Sequence, residues 1–136
     1  MCYFLYGSLY GDVSESEYAE VSEKYGFIKI SPGTKHDVKN AVKDAAESVR
    51  NEYRITEGVC DCASPVGRHD PADPEIIELS NLIKDLSALP GAKQINICKT
   101  WTGKQNKKEI KLKLSETDLP TFLADLKENT LYCLNV

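Results

Sequence analysis

Tyr53-Arg54-Ile55-Thr56-Glu57-Gly58-Val59-Cys60-Asp61-Cys62-Ala63-Ser64-Pro65-Val66-Gly67-Arg68-His69 is the stretch on which the fold turns. It reads as a strand running into a loop, and it concentrates the reactive side chains of the chain. Residues two apart in a strand share a face, so Cys60 and Cys62 are expected to point the same way and Asp61 the opposite way. Pro65 and Gly67 then favour a turn, and Arg68, His69 and Asp70 place a cation, an imidazole and a carboxylate just beyond it.

Working outward toward the C-terminus, Asp73-Pro74-Glu75 supplies an N-cap, a proline at the first helical position and an acidic first turn. Ile76, Leu79, Ile83 and Leu86 make one apolar stripe, widened by Ile77, Leu82 and Leu89, and Pro90-Gly91 stops it. This is the strongest helix signal in the chain. Ile95, Ile97, Lys99 and Trp101 alternate with Asn96, Cys98 and Thr100. After a polar loop, Ile110, Leu112 and Leu114 alternate with Lys111 and Lys113, so the two runs read as a hairpin with one wet face. Thr117 caps a helix that places Leu119, Phe122, Leu123 and Leu126 inward, and Leu131 to Val136 closes as a strand. The expected fold class is therefore α+β, an antiparallel or mixed sheet with helices packed on it. Residues 53–136 would form a ferredoxin-like βαββαβ core.

Toward the N-terminus the pattern is strand (Cys2 to Tyr10), helix (opened by Ser14 and Glu17), strand (Phe27 to Ile30) and helix (Val38, Val42, Ala45 and Val49). We take residues 1–52 as a βαβα extension of the sheet and residues 1–136 as a single domain.

Composition narrows the function classes. A net charge of −4 gives no overall electrostatic footprint for nucleic acid, and the six lysines from Lys99 to Lys113, which flank Trp101 and could form a nucleic-acid or phosphate surface, read rather as the solvated face of a hairpin. No apolar run reaches the roughly 20 residues that span a bilayer, and the N-terminus lacks the pattern of a signal peptide, so no membrane partner and a cytoplasmic location are the expectations. Five cysteines, an odd number in a chain this size, do not read as a disulfide framework. Cys98 and Cys133 fall in apolar strand patterns and are expected in the core.

Cys60 and Cys62 carry the principal functional reading. Thiolate is a soft ligand and a nucleophile, and two thiols on one face can act together. With His69 and His36 they would bind zinc or a similar metal, Cys2 or Asp70 being further candidates beside Arg68. A disulfide within Cys-x-Cys would close a small, strained ring and serve redox chemistry rather than stability. Redox chemistry ranks below metal here because no group that would stabilise a thiolate is evident. The competing reading is that both thiols are packed and inert. His36 and His69 each adjoin an aspartate, Asp37 and Asp70, which could orient the ring or simply be solvated with it.

Met1-Cys2 resembles the start of the N-terminal-nucleophile amidotransferases, which implies attack by a freed Cys2. Tyr6-Gly7-Ser8-Leu9 resembles the substrate-binding loop of the gamma-glutamylcyclotransferases, which implies that the loop backbone cradles a glutamyl group. Each resemblance covers only these residues and the apolar strand around them, so a small transferase or hydrolase using Ser8 or Cys2 ranks third. The second class is a non-catalytic protein- or ligand-binding module using a sheet edge, including homo-oligomerisation, or the Lys-rich hairpin 99–113.

Overall fold

The computed structural model describes residues 3–11, 13–25, 31–32, 51–54, 61–101 and 108–135. In chain order these form β1 (Tyr3–Gly11), α1 (Glu15–Ser22), β2 (Ser31–Pro32), β3 (Asn51–Arg54), α2 (Pro74–Ser87), β4 (Ala92–Trp101) and β5 (Lys108–Lys113). A 3₁₀ turn (Glu116–Asp118) then leads into α3 (Leu119–Ala124), and β6 (Thr130–Asn135) follows. The described strands make one mixed sheet in the order β2-β3-β1-β4-β6-β5, antiparallel except for β5 beside β6. The fold class is α+β.

Alternation in the strands decides which side chains meet the helices. Leu5 and Leu9 of β1, Ile95 and Ile97 of β4, and Tyr132 and Leu134 of β6 are buried in one cluster with Ile76, Leu79, Leu82, Ile83 and Leu86 of α2 and Leu119 and Leu123 of α3. Each large aliphatic side chain taken from water contributes roughly 2 kcal/mol, so the stripe of α2 is the main attachment between helices and sheet. Local signals start the helices where expected: Ser14 Oγ accepts from the Glu17 N–H, and Asp73 Oδ1 accepts from the Glu75 N–H, with Pro74 at the first helical position. No helix among the described residues is long and apolar enough to cross a membrane.

Three expectations are corrected. The hairpin between residues 95–101 and 110–114 does not form, because β6 lies between β4 and β5. The residues explain the exchange. Leu131, Tyr132, Cys133 and Leu134 are all buried, as an interior strand requires, whereas β5 keeps exposed Lys111 and Lys113 opposite half-buried Ile110 and Leu112, which suits an edge. β4 has no wet face either, since Asn96 and Cys98 are as buried as Ile95 and Ile97.

The second correction concerns strand pairing. β1, the first strand of the expected N-terminal extension of the sheet, lies between β3 and β4, pairing with β4 from Tyr3↔Trp101 through Leu9↔Ile95. The neighbours of β3 are β1 and β2, and that of β5 is β6, so these pairings differ from those of a ferredoxin-like core over 53–136. Thirdly, Thr117 does not cap the last helix. It sits inside the 3₁₀ turn, where the Ser115 hydroxyl contacts Thr117 Oγ1 and donates to Asp118 Oδ2. The expected strand 27–30, the helix over 34–49, and Cys2, His36 and Cys60 lie outside the described residues.

Candidate functional site

Among the described residues β3 pairs with β1 from Leu9↔Asn51 to Tyr6↔Arg54, and nearer the start of β1 Asp61 and Cys62 are partners. The Asp61 N–H donates to the Tyr3 carbonyl at 2.8 Å, the Leu5 N–H donates to Asp61 Oδ2 at 2.7 Å, and the Tyr3 N–H donates to Cys62 Sγ at 3.4 Å. A carboxylate and a sulfur thus stand where a neighbouring strand would offer carbonyls. That is why Asp61 is buried although charged, at 4% exposure.

The loop that follows is fastened to α3. The Gly67 N–H donates to the Leu123 carbonyl at 3.0 Å, which also accepts from the Leu126 N–H at 3.4 Å, and the His69 N–H donates to the Ala124 carbonyl at 2.8 Å, so the loop supplies donors to the carbonyls at the helix end. Gly67 (φ 82°) and His69 (φ 63°) both adopt the left-handed conformation that turns these N–H groups toward the helix. Val66, buried between them and the core, directs its carbonyl inward.

That carbonyl accepts from Lys99 Nζ at 3.0 Å. Lys99 lies opposite Leu5 on β4, on the helix-covered face of the sheet, and is only 3% exposed. Its ammonium lies 5.9 Å from the centroid of the Tyr3 ring. Burial pushes its pKa below the ordinary lysine value, and the charge of Glu128 pulls back upward; Arg68 acts downward, Asp61 and Cys62 upward. The Tyr3 hydroxyl is hydrogen-bonded to Glu128, which together with burial raises the phenol pKa. Arg68 is exposed, and its Nη2 donates to the carbonyl of Cys62. Tyr3, Asp61, Cys62, Arg68, Lys99 and Glu128 therefore gather at one end of the sheet, with Cys62 half-buried and free.

His69 faces elsewhere. Its ring is exposed, with Nδ1 2.8 Å from Asp125 Oδ1, so the carboxylate that orients it comes from the end of α3 and not from Asp70. Asp70 Oδ1 instead accepts from the Ala72 N–H at 3.1 Å. Among the described residues, no three His, Cys, Asp or Glu side chains come together as a metal-binding group. Cys98 and Cys133 are buried, as expected.

Lys99, Tyr3, Asp61 and Glu128 were not singled out by sequence reasoning. One signal was available: Lys99 takes the third place in the series Ile95, Ile97, Lys99, Trp101, a cation on the apolar side of a strand. Comparison of the chain with protein-family models, with curated proteins and with solved structures finds no match.

Proposed function

We propose that Cys62, with Cys60 two residues before it, is a thiol–disulfide exchange site. The observation that carries this reading is the setting of Cys62: a half-buried thiol whose Sγ accepts the Tyr3 N–H at 3.4 Å, in a loop that the buried Lys99 ammonium holds through the Val66 carbonyl. Sequence reasoning ranked metal binding above redox chemistry; the backbone N–H on Sγ and the buried cation that holds this loop support the thiol reading.

In the exchange, the Cys62 thiolate attacks one sulfur of a substrate disulfide. A mixed disulfide forms and the other substrate sulfur leaves as thiolate. Cys60, once deprotonated, attacks Cys62 Sγ, closing the Cys60–Cys62 disulfide and releasing the second substrate thiolate. Two electrons and two protons pass to the substrate, and the dithiol is oxidised. The small ring of a Cys-x-Cys disulfide keeps this bond labile and returns it readily to exchange.

The test is to mix reduced protein with the neutral disulfide dithiodipyridine and map the adducts by mass spectrometry. Rapid modification at Cys62, with a trapped mixed disulfide in Cys60→Ser, is the expected result. Cys62 no more reactive than a thiol of the denatured chain would overturn it. Stoichiometric zinc in protein purified without chelator, lost on replacing Cys60 and Cys62, would instead support a zinc site on Cys60, Cys62, His69 and His36.

A second reading rests on β5. It is the last strand of the described sheet and carries exposed Lys111 and Lys113. Pairing along this edge, with a second copy or another chain, would make the protein a binding module. Sedimentation that shows dimers abolished by Leu112→Pro would favour that reading.

A further inference from the structure

We infer that the Cys62 site selects substrates carrying a carboxylate, with Arg68 as the residue that receives it. This rests on the thiol reading above. Of the charged groups that gather with Cys62, three are committed to internal partners. Asp61 Oδ2 holds the Leu5 N–H, Glu128 holds the Tyr3 hydroxyl, and Lys99 Nζ holds the Val66 carbonyl. Two of the three residues, Asp61 and Lys99, are almost wholly buried. Arg68 and Glu128 are exposed, and of these two Arg68 is the cation.

The Arg68 guanidinium commits one nitrogen, Nη2, to the carbonyl of Cys62, the residue that bears the thiol. This bond tethers the planar group within one residue's span of Sγ, and among the described residues its other N–H groups have no protein partner. A tethered guanidinium with a free edge matches the two oxygens of a carboxylate, and an already anchored arginine loses little further freedom on binding. The half-buried ring of Tyr3 forms a wall near the Lys99 ammonium. A small disulfide or thiol compound with a carboxylate a few bonds from sulfur would then place its sulfur at Cys62 and its carboxylate on Arg68.

The experiment compares two disulfides on the intact reduced chain, the dianionic dithiobis-nitrobenzoate and the neutral dithiodipyridine, each assigned to Cys62 by peptide mapping. The rate ratio, anionic over neutral, should exceed that of the same protein in denaturant. Arg68→Gln should lower it by about threefold, the size of one exposed ion pair, and added salt should lower the wild-type ratio toward the variant's. Arg68→Lys, which keeps the charge but not the fork, should lie between. A ratio unchanged in Arg68→Gln, with Cys62 still reacting with the neutral disulfide, would overturn carboxylate selection and leave the thiol reading standing. Absence of reaction at Cys62 with either reagent would overturn both.

Discussion

Lys99 Nζ lies 3.0 Å from the carbonyl oxygen of Val66, so a strand in the middle of the sheet and the loop that carries Cys62 are joined through a buried ammonium. A cation 3% exposed costs desolvation energy that an apolar residue would avoid, and one carbonyl and a neighbouring aromatic ring return only part of it. On the thiol reading proposed above, the charge acts on Cys62 through the loop that it holds. Lys99→Met, which keeps the length and removes the charge, should slow modification of Cys62 by dithiodipyridine several-fold. Its stability should stay within about 1 kcal/mol of wild type, since relief of ammonium desolvation offsets the unpaired Val66 carbonyl. Full reactivity in this variant would remove Lys99 from the mechanism.

The pH dependence of stability follows from the direction in which burial moves Lys99. Its folded pKa lies below the ordinary value of 10.5, so between the two the unfolded chain binds more protons than the native one and this site's contribution to stability rises with pH. Tyr25 acts oppositely. Burial first, and then the bond its hydroxyl donates to Asp85, raise the phenol pKa, so above its ordinary value of 10.0 the unfolded chain ionises first and stability falls. Urea titrations from about pH 8 to pH 11 should separate the two effects: the stability difference between wild type and Lys99→Met grows up to about pH 10.5, and Tyr25→Phe reduces the fall above about pH 10, the part due to the raised Tyr3 phenol remaining. A wild-type-minus-Lys99→Met difference that is flat across this range would contradict the buried, desolvated ammonium.

Asp61 offers a test of how the site is attached to the sheet. Asp61→Ala removes the acceptor from the Leu5 N–H and leaves a buried donor without its partner, which should cost about 2–3 kcal/mol. Asp61→Asn keeps an oxygen at the same place and should cost less than half as much. Both are read from urea midpoints. Equal effects would mean that the carboxylate's charge, rather than its oxygen, is what β1 requires.

Much of this architecture was legible because local signals and periodicity agree. The stripe from Ile76 to Leu86, the cap at Asp73 and the alternation from Ile95 to Trp101 each correspond to an observed element. Strand order was not legible, since alternation marks a strand but not its neighbour, and in β4 it did not mark a wet face, Asn96 and Cys98 being buried. The continuous apolar run Leu131-Tyr132-Cys133-Leu134 was the available sign that the last strand is interior, and β5, with its lysines, the sign of an edge. The site was half legible. Cys62 and Arg68 stand close together in the sequence, but Lys99 and Glu128 come from distant segments that only the sheet brings near. The partner of His69 was missed for the same reason, because Asp125 lies 56 positions away.

Gly67 holds the loop in place, and its replacement should therefore affect both stability and reactivity. Its φ of 82° is one that a side-chain-bearing residue adopts at a cost, and a Cβ there would lie 2.9 Å from the Leu126 carbonyl oxygen, backbone that cannot swing away. Gly67→Ala should destabilise the protein by about 1–3 kcal/mol. The strain falls on the N–H that holds the Leu123 carbonyl, beside the Val66 carbonyl that holds Lys99. A loop that lifts from α3 would draw Val66 from Lys99 and expose Cys62 more fully while separating it from the ammonium. Hydrogen exchange at Gly67 and His69 should accelerate in the variant, and the preference of Cys62 for modification over a thiol of the denatured chain should shrink. Unchanged exchange at these two amides, together with an unchanged urea midpoint, would mean that the loop is held from its other end, by Asp61 on β1.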